Sequence, residues 1–401
     1  MLHRRAALIS ALPSGLILLP GNAEAPMNYA DNTYPFRQDS SFRYYGGPNR
    51  PDFHLLIDCE AGTTTLYGTD LSLDYVVWMG AQPSVRELAD RTGIEHTGSP
   101  AELGAALAKA KAAGRAIHYL PPYRAERTLL LAGWLGVDPA AVGAGVSETL
   151  IRAVIAQRSV KSADEVREME RAVIVSGVMH RAAMRAAKPG ELEAATAGLV
   201  EGIAIGAGGR LAYPAIVTVN GQILHNHYHG NKLKRGDLML IDAGAQTDSG
   251  YAGDITRTFP VAAKFTSRQR DIYELVLRAE NDCIGILQPK IAYRAVHLRA
   301  AHLMAESLRD LGLMRGSTED AVAAGAHALF FPHGLGHHIG MDVHDMEDLG
   351  EDRVGYDEEI SRSDQFGTKS LRLGRRLAAG NVITVEPGCY FIPALMDQWQ
   401  A

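Results

Sequence analysis

The sequence predicts an α+β protein with two domains, a small α/β domain over residues 1–157 and a larger domain over residues 158–401. Three observations support this prediction. The length of 401 residues suits two or three domains of roughly 150 residues each. Strand-like and helix-like segments alternate in the first domain, whereas helices and strand-rich sequence form separate blocks in the second. The composition is 46% hydrophobic and 21% charged, as in ordinary globular proteins.

The charge and the cysteines exclude several classes of protein. The net charge of −6 leaves no basic surplus, so we expect no nucleic-acid partner. The three cysteines are odd in number and far apart, which excludes a disulfide scaffold and a zinc ribbon and favours a reducing, cytoplasmic compartment. They are Cys59, Cys283 and Cys389. No segment has the ~20 apolar residues that span a bilayer, so we expect no membrane association.

The first 25 residues allow two interpretations. A basic start and an apolar stretch before Ala25 imitate a secretory signal. However, Pro13 and Gly15 interrupt the apolar stretch, and the residues 16–19 before Pro20 are typical of a short buried strand that enters a turn. We therefore expect this segment to be part of the folded first domain.

The remaining elements of the first domain follow in order. Paired strands are predicted on either side of a turn at residues 60–62, with helices and one further strand after them. The predicted strands cover 53–58, 64–68 and 116–120, and the predicted helices cover 85–92 and 101–113. This domain contains no obvious cluster of catalytic residue types.

The second domain begins with a capping box, in which Ser162 and Glu165 satisfy free N–H groups at the start of a helix. Helices are then predicted to about Ala187 and over 191–205, followed by strand-rich sequence. The later predictions are strands within 215–261, helices over 267–288 and 293–311, and a strand-rich region from Leu329 onward.

Two aspartates in the strand-rich part are candidates for chemistry. Asp242 ends the apolar strand 238–241, and Asp254 follows twelve residues later, so that both carboxylates can lie at neighbouring positions of one sheet. A buried aspartate costs several kcal/mol unless it is paired or bound to a cation. Without further evidence, an aspartate at the end of a strand more often caps a turn than binds a metal ion.

Two later segments favour a metal site. Residues 332–340 form a glycine-spaced histidine strand with His333 and His337, and residues 382–388 place Glu386 at the end of another apolar strand. Carboxylates with a single imidazole suit Mn²⁺ or another borderline-hard divalent ion. Two such ions about 3.5–4 Å apart would form the two-metal arrangement for hydrolysis.

Four segments in this order resemble the pita-bread metallopeptidases of the prolidase and aminopeptidase P group. They read ILHNHYHG, DAGAQTDSGYAGDITRTFPV, HGLGHHIGMDVHD and VITVEPG, and the earlier NTYPFRQDSSFRYYGG resembles a creatinase-type N-terminal domain. The resemblance covers nearly the whole chain. It implies a creatinase-type domain followed by a pita-bread catalytic domain, which is a curved, mostly antiparallel sheet covered by helices.

The resemblance implies a role for each matching residue. It implies two divalent ions, with Mn²⁺ favoured over Co²⁺ or Zn²⁺, held by Asp242, Asp254, His337 and Glu386. It places His225 beside the substrate, and it implies that His333 and His344 contact the substrate carbonyl and stabilise charge on the tetrahedral intermediate. Glu386 is also a possible proton relay.

Arg372 is a further substrate-binding candidate. The resemblance implies that it approaches the carboxylate of a C-terminal proline, and a guanidinium fork suits a carboxylate. The alternative is a surface arginine, since Arg375 and Arg376 lie nearby in the sequence.

One part of the family pattern is missing. The final ligand of the family is a second, bridging glutamate in an R-x-E-D strand after VEPG, and no residue after Glu386 matches that motif. We therefore expect a catalytic domain that lacks its C-terminal strand or strands. Either the sequence is a truncated product, or it is a short form with a damaged site.

The leading functional hypothesis is metal-dependent hydrolysis of the peptide bond before proline, in Xaa-Pro dipeptides or in short peptides with proline second. The first alternative is a catalytically silent binding or dimerising protein that lacks the final glutamate. A metal-free, creatinase-like enzyme is disfavoured because the metal ligands are retained, and the long first domain disfavours a methionine aminopeptidase. From the resemblance alone we expect a homodimer.

Overall fold

The computed structural model describes residues 1–400, which divide into two compact units, Met1–Gln157 and a second unit from Arg158 onward. The first unit has seven labelled helices and five strands, the last helix crossing the point of division. In chain order they are α1 (Leu2–Ala11), β1 (Leu16–Pro20), α2 (Ser40–Tyr44), β2 (His54–Asp58), β3 (Thr63–Tyr67), α3 (Leu73–Met79), α4 (Val85–Arg91), β4 (His96–Gly98), α5 (Pro100–Ala112), β5 (Ile117–His118), α6 (Ala125–Leu135) and α7 (Glu148–Ser159).

The sheet of the first unit has the order β4-β3-β2-β1-β5. All five residues of β1 are buried, and β1 pairs antiparallel with β2 and parallel with β5. The predicted buried strand at 16–19 and the predicted strand pair are therefore confirmed. The strand predicted at 116–120 is reduced to the two residues of β5, since Pro121 and Pro122 lack the N–H groups that would extend it.

The second unit also mixes helices and strands. After a capping box of Ser162 and Glu165, as predicted, its elements are α8 (Ala163–Ala186), α9 (Glu193–Gly206), β6 (Arg210–Leu211), β7 (Ile216–Thr218), β8 (Leu238–Asp242), β9 (Ala245–Gln246), β10 (Thr256–Pro260), α10 (Ser267–Gly285), α11 (Tyr293–Asp310), α12 (Thr318–Ala323), α13 (Glu351–Gly355) and α14 (Pro393–Gln400).

No single helix within residues 1–400 has the length and apolar composition to cross a membrane. Only α6 together with the 3-10 helix Pro139–Gly145 meets both conditions, and that pair is bent by 84°.

The central sheet of the second unit is antiparallel, with the order β10-β8-β7. Met239 and Ile241 of β8 are fully buried in one core with residues of α8 and α9. Because side chains alternate across a strand, Asp242 points away from the face that Ile241 covers. The apolar core thus fixes the position and the orientation of this carboxylate.

The expected strand-rich region from Leu329 onward was wrong, because no regular strand follows β10 in the described residues. Residues 335–339 and 382–386 do run antiparallel and share three backbone hydrogen bonds. The reciprocal bonds are diverted to side chains: the His337 N–H donates to Thr384 Oγ1 (3.0 Å), and the Tyr293 hydroxyl donates to the Thr384 carbonyl (2.6 Å). These side-chain bonds replace the ladder that would define a strand.

We predict that Ile241→Ala destabilises the second unit by about 2–5 kcal/mol, because it removes buried methyl groups and leaves a cavity. Ile241→Val, the matched control, should cost about 0.5–1.5 kcal/mol. Urea unfolding measured for both variants checks the difference. If both variants lost the same free energy of unfolding, the full Ile241 side chain would not be needed to fill the core.

Candidate metal centre

The sheet brings Asp242 and Asp254 together. Asp242 ends β8 and pairs with Thr256 at the start of β10, two residues after Asp254. The close approach requires glycine, since a Cβ on Gly244 would lie 1.7 Å from the carbonyl oxygen of Gly253. The backbone therefore brings the two carboxylates close together, although Asp254 lies just before β10 and not within the sheet.

A tyrosine lies between these carboxylates. The Tyr213 hydroxyl is 2.6 Å from Oδ1 of Asp242 and 2.6 Å from Oδ1 of Asp254. A phenol has one hydrogen, so it can donate to only one of them at a time. Burial and the negative charge of Asp254 raise the pKa of Asp242 to about 7, which records the cost of holding two carboxylates so close.

His337 connects Asp254 to the segment that carries Glu386. Its Nε2 lies 3.4 Å from Oδ2 of Asp254 and 3.1 Å from Oε1 of Glu386. Its Nδ1 lies 2.9 Å from the carbonyl oxygen of His338, which can only accept, so Nδ1 carries a hydrogen and Nε2 faces the carboxylates. Burial would lower the pKa of His337, but Asp254 and Glu386 raise it to about 10.

The arrangement fits a cation. Asp254, His337 and Glu386 each offer one ligand atom, and these atoms lie within 4.8 Å of one another. Asp242 joins them through the Tyr213 hydroxyl. Within residues 1–400, no lysine or arginine forms an ion pair with these carboxylates. Partly buried carboxylates beside one imidazole, without a lysine or arginine partner, are the donor set of a divalent metal site.

The ring of His333 has a defined tautomer. Its Nδ1 lies 2.8 Å from the carbonyl oxygen of Gly334 and therefore carries the hydrogen, while its Nε2 lies 3.2 Å from the Tyr390 hydroxyl and accepts from it. Burial lowers the pKa of His333, so the ring is neutral at pH 7. In this state Nε2 is an acceptor, and a donor role toward an oxyanion requires protonation of the ring.

The other two predicted histidines have different surroundings. His225 is exposed in the loop after β7, and its charge contributes to the lowered pKa of His333, so the two rings share a neighbourhood. His344 lies edge-on to His337, with ring centroids 4.1 Å apart. Its Nδ1 is 3.2 Å from Oε2 of Glu347, which orients the ring.

Arg372 is engaged by carboxylates of the protein itself. Its Nη1 lies 2.7 and 2.8 Å from the two carboxylate oxygens of Glu347 and 3.3 Å from Oε2 of Glu351. The three side chains line a small cavity together with His337. Arg372 is therefore close to the candidate metal ligands, and it is not a free surface arginine.

Sequence reasoning missed Tyr213, Thr384 and Glu347. Tyr213 lies far from every motif, and nothing in the sequence shows that its hydroxyl reaches both aspartates. Thr384 lies inside VITVEPG, where it reads as a strand residue, yet its hydroxyl donates to Oε1 of Glu386 (2.8 Å). Glu347 could have been found, since a carboxylate three residues after His344 is well spaced to accept from that ring.

A buried ionic cluster fixes the loop that carries His337 and His344. Oδ1 of Asp345 accepts from Arg158 Nη2 (2.6 Å), and Oδ2 accepts from Lys161 Nζ (2.8 Å). The Asp345 N–H donates to the carbonyl oxygen of His338 (2.9 Å), the same oxygen that orients His337. The cluster thus holds both ends of the loop in place.

Two family models match the chain. The model described as metallopeptidase family M24 matches residues 167–401, and the model described as aminopeptidase P, N-terminal domain, matches residues 1–118. Among solved structures, aminopeptidase P of E. coli (low-pH form) superposes with a TM-score of 0.81 at 29% identity, covering 97% of this chain and 86% of the other. Proline aminopeptidase P II of Yersinia pestis gives a TM-score of 0.80 at 31% identity, covering 97% and 87%.

Two relatives of known name are similar over most of their length. A protein of Sordaria macrospora named "Probable Xaa-Pro aminopeptidase" is 32% identical over 390 residues, which cover 96% of this chain and 79% of the relative. The "Xaa-Pro dipeptidase" of Homo sapiens is 30% identical over 402 residues, covering 96% and 77%. The fold class and the family resemblance predicted from the sequence are therefore confirmed.

We predict that Asp345→Asn destabilises the second unit by about 3–5 kcal/mol at pH 7, because it leaves Arg158 and Lys161 without their buried partner. Burial would raise the pKa of Asp345, but the two cations lower it well below its usual value. The stabilisation is therefore present at neutral pH and is lost progressively as the pH falls below about 5.

Urea unfolding of the wild type and the variant at pH 7, pH 4 and about pH 2 checks this expectation. The difference in unfolding free energy should narrow only slightly at pH 4 and clearly toward pH 2, because the lowered pKa keeps Asp345 ionised at pH 4. Asp342→Asn is the matched control, since Asp342 also bonds Arg158 (2.9 Å) but is 26% exposed. If both variants lost the same free energy of unfolding at pH 7, the burial of Asp345 would make no additional contribution to stability.

Proposed function

Because the chain belongs to metallopeptidase family M24, we propose that it hydrolyses the peptide bond before proline, in Xaa-Pro dipeptides or in short peptides with proline second, with two divalent metal ions. The observation that carries the proposal is the convergence of Asp254, His337 and Glu386 beside Asp242. The names of the relatives, Xaa-Pro aminopeptidase and Xaa-Pro dipeptidase, support the substrate class.

The proposed ligands are Asp242, Asp254, His337 and Glu386. A divalent ion at such a site supplies Lewis acidity, which polarises a carbonyl and lowers the pKa of a water molecule. Mn²⁺ is proposed because three of the four ligands are carboxylates. The aminopeptidase P of E. coli has been solved in a Zn-substituted form with product, which supports a divalent metal as the cofactor class.

The chain's own residues orient this set. The carbonyl of His338 fixes the His337 ring, so that Nε2 is directed at the ligand carboxylates. The Thr384 hydroxyl restricts Glu386 in the same way. Because both ligands are held by the paired segments 335–339 and 382–386, their separation is set before any ligand binds.

The surrounding histidines provide polar contacts for a peptide. Neutral His333 and the Tyr390 hydroxyl form a hydrogen-bonded pair whose hydrogen can be shared with a substrate oxygen. The ring of His344 lies edge-on to His337, and its Nδ1–H faces the Glu347 carboxylate. Nε2 is therefore an acceptor in the neutral ring and a donor only in the imidazolium. A positioned donor near a polarised carbonyl stabilises the charge that develops in the transition state.

The first prediction from this proposal concerns substrate and metal. We expect turnover of Gly-Pro or Gly-Pro-Leu by the protein supplied with Mn²⁺, no turnover of Gly-Ala-Leu, and loss of activity with EDTA that added Mn²⁺ restores. Liquid chromatography of the products checks each point. Weak binding of one metal ion with no turnover of any proline-second peptide would favour the silent binding protein instead.

The second prediction concerns the ligands. His337→Ala removes a proposed ligand that also pairs with two carboxylates. We expect Mn²⁺ affinity and turnover to fall by more than 100-fold, because loss of a ligand costs more than the 10–100-fold typical for loss of a residue that only orients a ligand. Tyr213→Phe removes only the hydroxyl between the aspartates and should reduce the affinity by about 10–100-fold. Titration calorimetry with Mn²⁺ measures both. Unchanged affinity in His337→Ala would refute the ligand set.

A further inference from the structure

The guanidinium of Arg372 is already bound by two carboxylates. Glu347 contributes both of its oxygens to Nη1, at 2.7 and 2.8 Å, and Glu351 contributes Oε2 at 3.3 Å. All three side chains are about two-thirds buried, with exposed fractions of 33%, 26% and 33% for Arg372, Glu347 and Glu351. These contacts are therefore less weakened by solvent than those of an exposed ion pair.

The charges around Arg372 are balanced. Glu351 also bonds Nη2 of Arg362, and Asp352 bonds Nε of the same guanidinium at 2.7 Å. The two guanidinium groups of this charged row thus face three carboxylates, so the positive charges are fully compensated. Burial would raise the pKa of Glu347, but His344 and Arg372 lower it, which keeps this carboxylate ionised at neutral pH. Arg372 thus has no uncompensated positive charge with which to attract a third carboxylate.

The row lies at the candidate site. Arg372, Glu347 and Glu351 line the same small cavity as His337, and Glu347 also orients His344. A dipeptide cleaved there carries a free carboxylate one residue beyond the scissile bond. A longer peptide has a neutral peptide group at that place.

We propose that Glu347 and Glu351 are specificity-determining residues that occupy Arg372 in place of a substrate carboxylate, and so direct the enzyme toward peptides that continue beyond proline. This inference rests on the proposed function and deepens it. A dipeptide carboxylate must either displace Glu347 from Nη1 or approach the guanidinium beside two like charges, and like charges placed together oppose binding. A peptide extended past proline brings no charge there and meets no such penalty.

The opposite role for Glu347 makes the opposite prediction. Within residues 1–400, Nε and Nη2 of Arg372 make no hydrogen bond, so these donors could receive a substrate carboxylate while Glu347 merely orients the guanidinium. In that case removal of the Glu347 charge would weaken the binding of a free carboxylate. The sign of the change therefore decides between the two roles.

The test compares a ligand pair that differs only in the C-terminal group. The pair is Gly-Pro with its scissile carbonyl replaced by a methylene, as the free acid and as the carboxamide. Titration calorimetry of the full chain with Mn²⁺ gives the ratio of the two dissociation constants, in which effects common to both ligands cancel. Loss of the His344 contact is one such common effect.

We expect Glu347→Gln to shift the ratio about tenfold toward the free acid and Glu351→Gln, with its longer contact, to shift it about threefold. Within residues 1–400, Glu351 makes no hydrogen bond to His344, so its variant leaves that ring oriented by Glu347, although it also removes a partner of Arg362. Glu358→Gln is the matched control, because it removes the same charge from an exposed position of the same segment and should leave the ratio unchanged.

In an Arg372→Met background, which removes the guanidinium, Glu347→Gln should cause no shift in the ratio.

An unchanged ratio in Glu347→Gln, or a shift toward the carboxamide, overturns the inference. Turnover of Gly-Pro and Gly-Pro-amide by the same variants separates this result from failure of the proposed function. If the ratio shifts as expected although no proline-second peptide is cleaved, the role of Glu347 and Glu351 at Arg372 is supported and the proposed reaction is wrong. If both peptides are cleaved and the ratio does not move, the reaction stands and the specificity role is wrong.

Discussion

The second unit is organised around the cost of placing carboxylates together in a buried site. Within residues 1–400, His337 forms ion pairs with Asp254 and Glu386, and Asp242 joins them only through the Tyr213 hydroxyl. Buried charges without full compensation cost several kcal/mol each, and the pKa of Asp242, raised to about 7 by burial and by Asp254, shows that compensation is incomplete. The protein therefore stabilises this arrangement through its surroundings, and a divalent cation would remove the remaining imbalance.

The surroundings do this by fixing the orientation of each side chain of the site. The apolar core beneath β8 sets the direction of Asp242, the carbonyl of His338 sets the His337 ring, and Thr384 sets Glu386. Asp345 secures the loop between the histidines by binding Arg158 and Lys161. Because the scaffold fixes these contacts independently of any ligand, the site is organised by folding and not by substrate binding.

Regular elements were predictable because local sequence and tertiary packing agree in them. The buried strand β1, the capping box at Ser162 and the end of β8 at Asp242 each follow from a local pattern. The segments 335–339 and 382–386 were predicted as strands but are not regular strands. They share three backbone hydrogen bonds, but the reciprocal bonds involve the side chains of Thr384 and Tyr293, and no periodicity of the sequence encodes those contacts. The same holds for Tyr213, whose reach to both aspartates depends on the assembled sheet.

Arg372 illustrates a further limit of reading function from a motif. The resemblance implies an arginine that receives a substrate carboxylate, and the side chain does lie at the cavity beside His337. Its charge, however, is balanced by Glu347 and Glu351, which lie 25 and 21 residues earlier in the chain. Burial in a low-dielectric pocket makes such neighbours as important as the residue itself. The preference for or against a free carboxylate therefore follows from the charge balance of the whole row, and not from the arginine alone.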